Sequence, residues 1–467
     1  MVFSSVTFLF YFLPAVLIIY FAVRKELKNI VLLLASLLFY TWGEGMFVLV
    51  LILDILLNYL MALFIDRSRN DKSRKLILSL AVILNLGLLF YYKYIDLAAD
   101  VLNKALRILH KQEIPLLNVA LPIGLSFFIF QGMSYVIDVY RKDVPVQKNP
   151  LNIALYIAMF PQLIAGPIVR YNDIYKSIAH RTVTREGLYT GTKRFITGLG
   201  KKVMIADILA VSADKIAGLS VDQLTPSIAW TGALCYTLQI YFDFSGYSDM
   251  AIGLGKIFGF EFAENFNLPY TATSISEFWR RWHISLSSWF RDYLYIPLGG
   301  NRKGNVYVNL LIVFLCTGLW HGADYCFVFW GLWHGFFIVI ERALRKKKII
   351  PGGIAGWIYT MLVVIMGWVF FQGRGIQYIK VMLGIYSHDF KWYSLPYFID
   401  ARIIFTAVAG IVISGGFIRR LREYIEKTGK YKAQVRVLSE IFLAGTLFCC
   451  IYMIVSGNYS PFIYFRF

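Results

Sequence analysis

Residues 30–65 read IVLLLASLLFYTWGEGMFVLVLILDILLNYLMALFI, a stretch whose only charged side chains are Glu44 and Asp54. A run of roughly 17–25 apolar residues is what a helix needs to cross the hydrocarbon of a bilayer. Comparable runs recur at 3–23, 30–42, 46–65, 76–95, 119–139, 203–219, 228–250, 306–321, 325–340, 354–371, 401–417 and 437–456. A soluble chain carries about a quarter charged residues, whereas this one is 58% hydrophobic and 16% charged over 467 residues. The expected fold is all-α and polytopic. Segments 151–168 and 275–298 are apolar or amphipathic but broken by proline or charge, which predicts re-entrant or interfacial elements. No linker or low-complexity run divides the chain, so residues 1–467 read as one domain.

The net charge of +19 raises the question of a nucleic-acid partner, and its distribution answers it. Residues 1–23 lack the basic n-region of a cleavable signal, and Arg24, Lys25 and Lys28 follow the first apolar run, which predicts an outward N-terminus. With that orientation, 37 of the 47 Lys and Arg residues fall in loops on the cytoplasmic side. Such retention is the positive-inside pattern, and these loops meet anionic lipid headgroups. A docking face for an anionic cytoplasmic donor is the functional alternative; no nucleic acid is implied. The same count places the C-terminus outside if the number of crossings is even. Cys235, Cys316, Cys326, Cys449 and Cys450 all lie in apolar segments without CxxC spacing, which predicts small buried hydrophobes rather than disulfides or a metal site. His110, His180 and His388 fall in polar loops and are expected to be solvated.

Polar residues at membrane depth are costly and mark functional cavities. Three clusters qualify. In QIYFDFSGYSD (239–249), Asp243, Ser245, Tyr247, Ser248 and Asp249 crowd the end of a span; they are either helix-to-helix polar contacts or the wall of a wet pocket. In 277–305, Trp279, Trp282, Leu286, Trp289 and Tyr293 recur at helical spacing, with Arg280, His283, Ser287 and Arg291 on an adjoining face. That is an amphipathic helix, either anchored at the interface or presenting Arg280, Arg281 and Arg291 to phosphates, a task suited to the guanidinium fork. The third cluster is GLWHGADYCFVFWGLWHG (318–335), where the pentapeptide GLWHG occurs twice and carries His321 and His334. Two helices joined by a tight turn at 322–324 are expected there. A lone membrane histidine is more often a packing residue than a catalyst, and by pattern alone the catalytic reading stays open for each. No P-loop, GxGxxG, GxSxG or HExxH motif is present.

Four blocks, PIGLSFFIFQGMSYVIDVYR (122–141), FPQLIAGPIVRYND (160–173), YFDFSGYSDMAIGLGKIFGFEFAENFNLPY (241–270) and EFWRRWHISLSSWFRDYLYIPLGGNR (277–302), together with GLWHGA (318–323), give the chain its likeness. It resembles the membrane-bound O-acyltransferase family, in the bacterial branch that includes the alginate O-acetyltransferase membrane subunit. The resemblance implies a ring of about 11–12 transmembrane helices with re-entrant elements around a central tunnel. It also implies a catalytic histidine at His321, with His283 as the second polar residue and no catalytic assignment for His334. The implied reaction passes an acyl group, acetyl by branch, from a cytoplasmic thioester (acetyl-CoA or a carrier-protein thioester, with no tightly bound cofactor or metal) to an acceptor outside. An extracytoplasmic SGNH-hydrolase-like partner and a polysaccharide acceptor come with that branch. Asp243, Ser245 and Tyr247 are then candidates for the substrate pocket.

Phe462, Tyr464 and Phe467 form F-x-Y-x-x-F at the C-terminus. This resembles the terminal motif of a small partner protein in teichoic acid D-alanylation, which implies Tyr464 as an acyl relay. An interfacial aromatic belt is the plain alternative. Two other functions stay open at this stage: the same family acting on a D-alanyl or longer acyl group, and a transporter whose polar groups line a permeation path, for which no inverted repeat is evident.

Overall fold

The computed structural model of the chain describes residues 2–164, 166–345, 352–386, 393–429, 431–457 and 462–463. Among these residues there is no strand, and each apolar run expected to be a span falls on a helix. Two compact units emerge, one from Met1–Thr192 with Ala251–Ala263, the other from Lys193–Met250 with Glu264–Phe467.

The first unit contains α1 (Leu13–Ala22), α2 (Lys28–Glu44), α3 (Val48–Arg67), α4 (Asp71–Leu89), α5 (Ile95–Ile108), α6 (Leu125–Arg141), α7 (Pro150–Ala158), α8 (Phe160–Leu163) and α9 (Tyr171–Ala179). Its core holds a cluster of hydrogen-bonded polar side chains. The Asn58 amide donates to Asp54 Oδ1 at 3.0 Å and to Asn85 Oδ1 at 3.2 Å, and Asn85 returns a bond to Asn58 Oδ1 at 3.0 Å. A side chain at Gly132 would strike the Asn58 amide, so α6 approaches α3 only because that position is glycine, the small-residue packing usual between membrane helices. The expected break in 151–168 falls at Met159, between α7 and α8, where the Phe160 N–H donates to Ser36 Oγ at 3.0 Å.

The second unit takes up α10 (Arg185–Gly200) from Lys193 onward, then a π-helical turn (Lys201–Ala206), α11 (Asp207–Ala217) and most of α12 (Pro226–Ile257). There follow α13 (Ile275–Arg281), α14 (Ile284–Phe290), α15 (Val306–His321), α16 (Tyr325–Arg345), α17 (Gly353–Phe371), α18 (Ile376–Met382), α19 (Ala401–Ser414), α20 (Phe417–Thr428) and α21 (Lys432–Val455). Two close crossings organise it. A Cβ on Gly246 of α12 would lie 2.7 Å from the Gly198 carbonyl of α10. In α15 and α16 the first glycine of each GLWHG copy meets the other: a Cβ on Gly331 would lie 2.5 Å from the Phe314 carbonyl and 3.3 Å from Gly318 Cα. The repeated pentapeptide is thus the two halves of one helix crossing, with each histidine three residues beyond its glycine.

Among the described residues, five helical stretches are long and apolar enough to cross a membrane, and a sixth counts if α19 and α20, bent by 50°, form one span. Several expected spans are shorter; α15, at 16 residues, falls below the straight-crossing length of about 20. The 277–298 region is not one continuous helix either, because Trp282 and His283 separate α13 from α14. Residues 418–436, expected as a loop, include α20, whose exposed Phe417, Ile418, Leu421 and Tyr424 share a side and whose Arg419–Glu423 and Arg422–Glu426 pairs both close at 2.9 Å; this is the pattern of an interfacial helix. All five cysteines are free, but only Cys235 and Cys450 are buried, and Cys449 is exposed. His110 and His180 are exposed, and His388 lies outside the described residues.

The α15–α16 crossing predicts that Gly331→Leu sharply lowers the yield of monodisperse protein extracted in mild detergent. Gly445→Ala, at a helix position with nothing within 4 Å of the added carbon, should leave that yield equal or higher, because alanine favours helix over glycine by about 1 kcal/mol.

Candidate active site

His321 closes α15, and Gly322 continues in extended backbone. A side chain at Gly322 would run into the Phe327 ring. The His321 imidazole is 5% exposed. Its ring faces Trp320 at 5.0 Å, Trp330 at 5.0 Å and Phe371 at 5.1 Å between centroids, each nearly perpendicular. His334 lies one helix further on and touches the same Trp330 indole at 5.2 Å. It is 0% exposed, neither of its ring nitrogens has a hydrogen-bond partner among the described residues, and Gly367 leaves it room. The two histidines of the repeat therefore differ: one stands at a helix end, the other is sealed mid-helix among Phe278, Trp279, Trp330 and Trp368.

His283 sits between α13 and α14 with φ +43° and ψ +56°, the left-handed region that a side chain seldom occupies. Asn265 holds it there. The Asn265 carbonyl accepts the Ile284 N–H at 3.0 Å, and its side-chain Oδ1 accepts from the Ser285 hydroxyl at 2.9 Å and lies 3.1 Å from His283 Nδ1. The Asn265 amide nitrogen donates to Ser248 Oγ at 3.1 Å, and the Ser285 backbone N–H, which can only donate, meets Oδ1 at 3.3 Å; this makes Oδ1 the acceptor and so assigns the proton to His283 Nδ1. Nε2 is left unprotonated, buried, and without a hydrogen-bond partner among the described residues. Phe244 stands edge-on to this ring at 4.6 Å. Trp320 lies 6.0 Å from it and 5.0 Å from His321, so one indole contacts both imidazoles.

The other expected site residues are dispersed. Asp243 and Ser245 are each 1% exposed and Tyr247 is 2% exposed, all within α12. Asp243 pairs with Lys202 at 3.0 Å, and Lys202 also binds Asp207 at 2.6 Å. Asp249 takes Arg194 and Lys201, both at 2.6 Å. Ser245 Oγ has no hydrogen-bond partner among the described residues. Arg281 donates to Glu277 at 2.6 Å and to Thr271 at 2.9 Å. Burial works to raise the Glu277 carboxyl, but the Thr273 amide and Arg281 outweigh it and hold its pKa below the ordinary value, so Arg281 is engaged in a structural pair. Arg291 forks onto the neighbouring Asp292 at 2.7 and 3.0 Å. Arg280 is exposed. Tyr464 lies outside the described residues, but Phe462 and Ile463 are buried: Phe462 stacks on Tyr247 at 4.7 Å, and the Ile463 N–H donates to Asp243 Oδ2 at 2.8 Å. Among the described residues no group of three or more His, Cys, Asp or Glu side chains is placed to hold a metal ion.

Sequence reasoning missed Asn265, Trp320 and Lys202. Asn265 lies within a block that carried the family resemblance, and Trp320 within GLWHG, but nothing local assigns either to a histidine.

A helical, multi-pass membrane protein with two buried imidazoles on one tryptophan is the class these features define. The chain belongs to the membrane-bound O-acyltransferase family, whose model matches residues 33–379, and it is an O-acyltransferase. It is 41% identical to the protein named "Probable alginate O-acetylase AlgI" of Pseudomonas putida over 100% of both chains. It is 37% identical to the peptidoglycan O-acetyltransferase of Helicobacter pylori over 82% of this chain and 80% of that one. With the teichoic acid D-alanyltransferase of Bacillus subtilis it shares 28% identity over 54% of this chain and 69% of the other.

Asn265→Ala removes the acceptor that sets the His283 tautomer. Losing such a buried partner costs about 1–3 kcal/mol, so acyl transfer should fall roughly 5- to 150-fold, and Asn265→Asp, which keeps an acceptor, should retain more. Initial rates on purified protein check this.

Proposed function

We propose that the chain, acting as a single domain, passes an acetyl group from a cytoplasmic thioester (acetyl-CoA or a carrier-protein thioester) to a hydroxyl on the other side of the bacterial plasma membrane. The acetyl group then serves O-acetylation of an exopolysaccharide or cell-wall glycan through an SGNH-hydrolase-like partner. Both termini face outward in this reading. The names of the alginate and peptidoglycan relatives support acetyl as the group and a glycan as the destination. The observation that carries the site assignment is the contrast within the GLWHG pair: His321 sits at a helix end and keeps 5% of its surface open, whereas His334 keeps none.

His321 is the general base. A neutral imidazole takes the hydroxyl proton as the new C–O bond forms and the C–S bond breaks, and returns it to the departing thiolate, which leaves as a thiol. With Nδ1 protonated toward Asn265, His283 offers only an acceptor at Nε2. It can hold an N–H or O–H of a substrate; stabilising an oxyanion would require the imidazolium. Arg280 is the exposed guanidinium available to the donor's phosphates.

Tyr464 is the first hydroxyl to receive the acetyl group in this scheme, forming an aryl ester that the partner resolves. The burial of Phe462 against Tyr247 and Phe244 supports bringing the terminal motif to this site. A D-alanyl or longer group remains the alternative cargo, and solute transport the alternative class.

Purified protein in nanodiscs with radiolabelled acetyl-CoA and with a labelled acetyl carrier protein tests the reading. His321→Ala should cut thioester consumption at least about 10²-fold at unchanged abundance; full consumption by the variant overturns the assignment, and solute flux without thioester consumption supports a transporter. In cells, Tyr464→Phe should abolish glycan acetylation, and undiminished acetylation excludes the relay.

A further inference from the structure

Asp243, Lys202 and Asp207 form a buried ion cluster in which one ammonium serves two carboxylates, and no step above uses it. Lys202 Nζ lies 2.6 Å from Asp207 and 3.0 Å from Asp243 Oδ1. The second oxygen of Asp243 accepts the backbone N–H of Ile463 at 2.8 Å, a contact spanning 220 residues. A carboxylate buried in a membrane helix is held by its partners, and here one partner is the backbone of Ile463, far away in sequence.

That bond fixes where the preceding ring goes. Phe462 is 2% exposed. It stacks on Tyr247 at 4.7 Å and lies 6.2 Å from Phe244, both within the range of attractive aromatic pairs. Phe244 in turn stands edge-on to His283 at 4.6 Å. Phe244 also meets Phe266 at 5.0 Å. The rings run without interruption from the C-terminal segment to the imidazole held by Asn265.

We propose that the Phe462–Ile463 segment is a wall of the transfer site: Asp243 pins Ile463, and Phe462 is a positioning residue that braces Phe244 against His283. The proposal rests on the acyl-transfer reading for what the wall serves. Docking of the segment is judged separately, by labelling that needs no catalysis. Asp243 on this account anchors protein rather than binding substrate.

The test uses full-length protein with its five cysteines replaced and Phe462→Cys introduced. Reaction with a membrane-impermeant maleimide should be slow in this chain. It should rise at least about tenfold when Ile463→Pro removes the amide donor while the Lys202–Asp243 pair stays intact, and likewise for Asp243→Ala. In the otherwise native chain, Phe462→Ala should lower kcat for acetyl transfer on the order of tenfold with donor KM unchanged, and Phe462→Leu should restore most of it. Rapid labelling without Ile463→Pro, or full kcat in Phe462→Ala, overturns the proposal. Should His321→Ala remain active while position 462 stays protected, the function reading fails and the docking stands.

Discussion

The site in the second unit depends on a backbone contact, the meeting of Gly318 with Gly331. Any side chain at either position would drive into a carbonyl of the facing helix. Because both positions lack one, α15 and α16 approach until Trp330 can touch the imidazoles of both GLWHG copies. Small residues are the usual means of close helix packing in lipid, where apolar side chains gain little from leaving one hydrocarbon for another. The crossing fixes Trp330, Trp330 borders His321, and Trp320 joins His321 to His283.

Around that contact the protein solves a second difficulty, which is keeping imidazoles oriented and buried. Rings supply the surroundings of His321 and leave its solvation poor. For His283 the device is a single asparagine that caps α14, forces the left-handed backbone at residue 283 and dictates which nitrogen carries the proton. Burial of polar groups in membranes is costly unless they are satisfied, and Asn265 is itself held by Ser248 and Ser285. Among the described residues His283 Nε2 has no hydrogen-bond partner, and in the proposed reaction it accepts from the substrate.

Much of the helical layout was legible because apolar run length is a direct physical requirement of the bilayer. The bounds of the 306–321 run coincide with α15, and the break expected in 151–168 appears at Met159. Amphipathic pieces were less legible: α20 hid in a charged stretch, and the rhythm of Trp279, Trp282, Leu286, Trp289 and Tyr293 runs across a backbone kink that spacing alone does not register. For the candidate site, motif resemblance singled out His321 and His283, whereas local pattern left every histidine open. Asn265 was missed because its role is a contact across 18 residues of loop and turn. The bond from Ile463 to Asp243 crosses 220 residues, so no periodicity encodes it. The crowded polar residues of 239–249 proved to serve different partners, since consecutive positions on a helix point in different directions.

The most direct test is an experimental structure with S-acetonyl-pantetheine, an unreactive ketone shared in form by CoA and carrier-protein thioesters. The account predicts the ketone carbonyl beside the His321 ring, close enough for a hydroxyl to sit between them at about 3–3.5 Å from each, with a polar hydrogen of the pantetheine arm on His283 Nε2. A ligand bound away from both imidazoles, with Trp320, Trp330 and Phe371 still closed over His321, would contradict it.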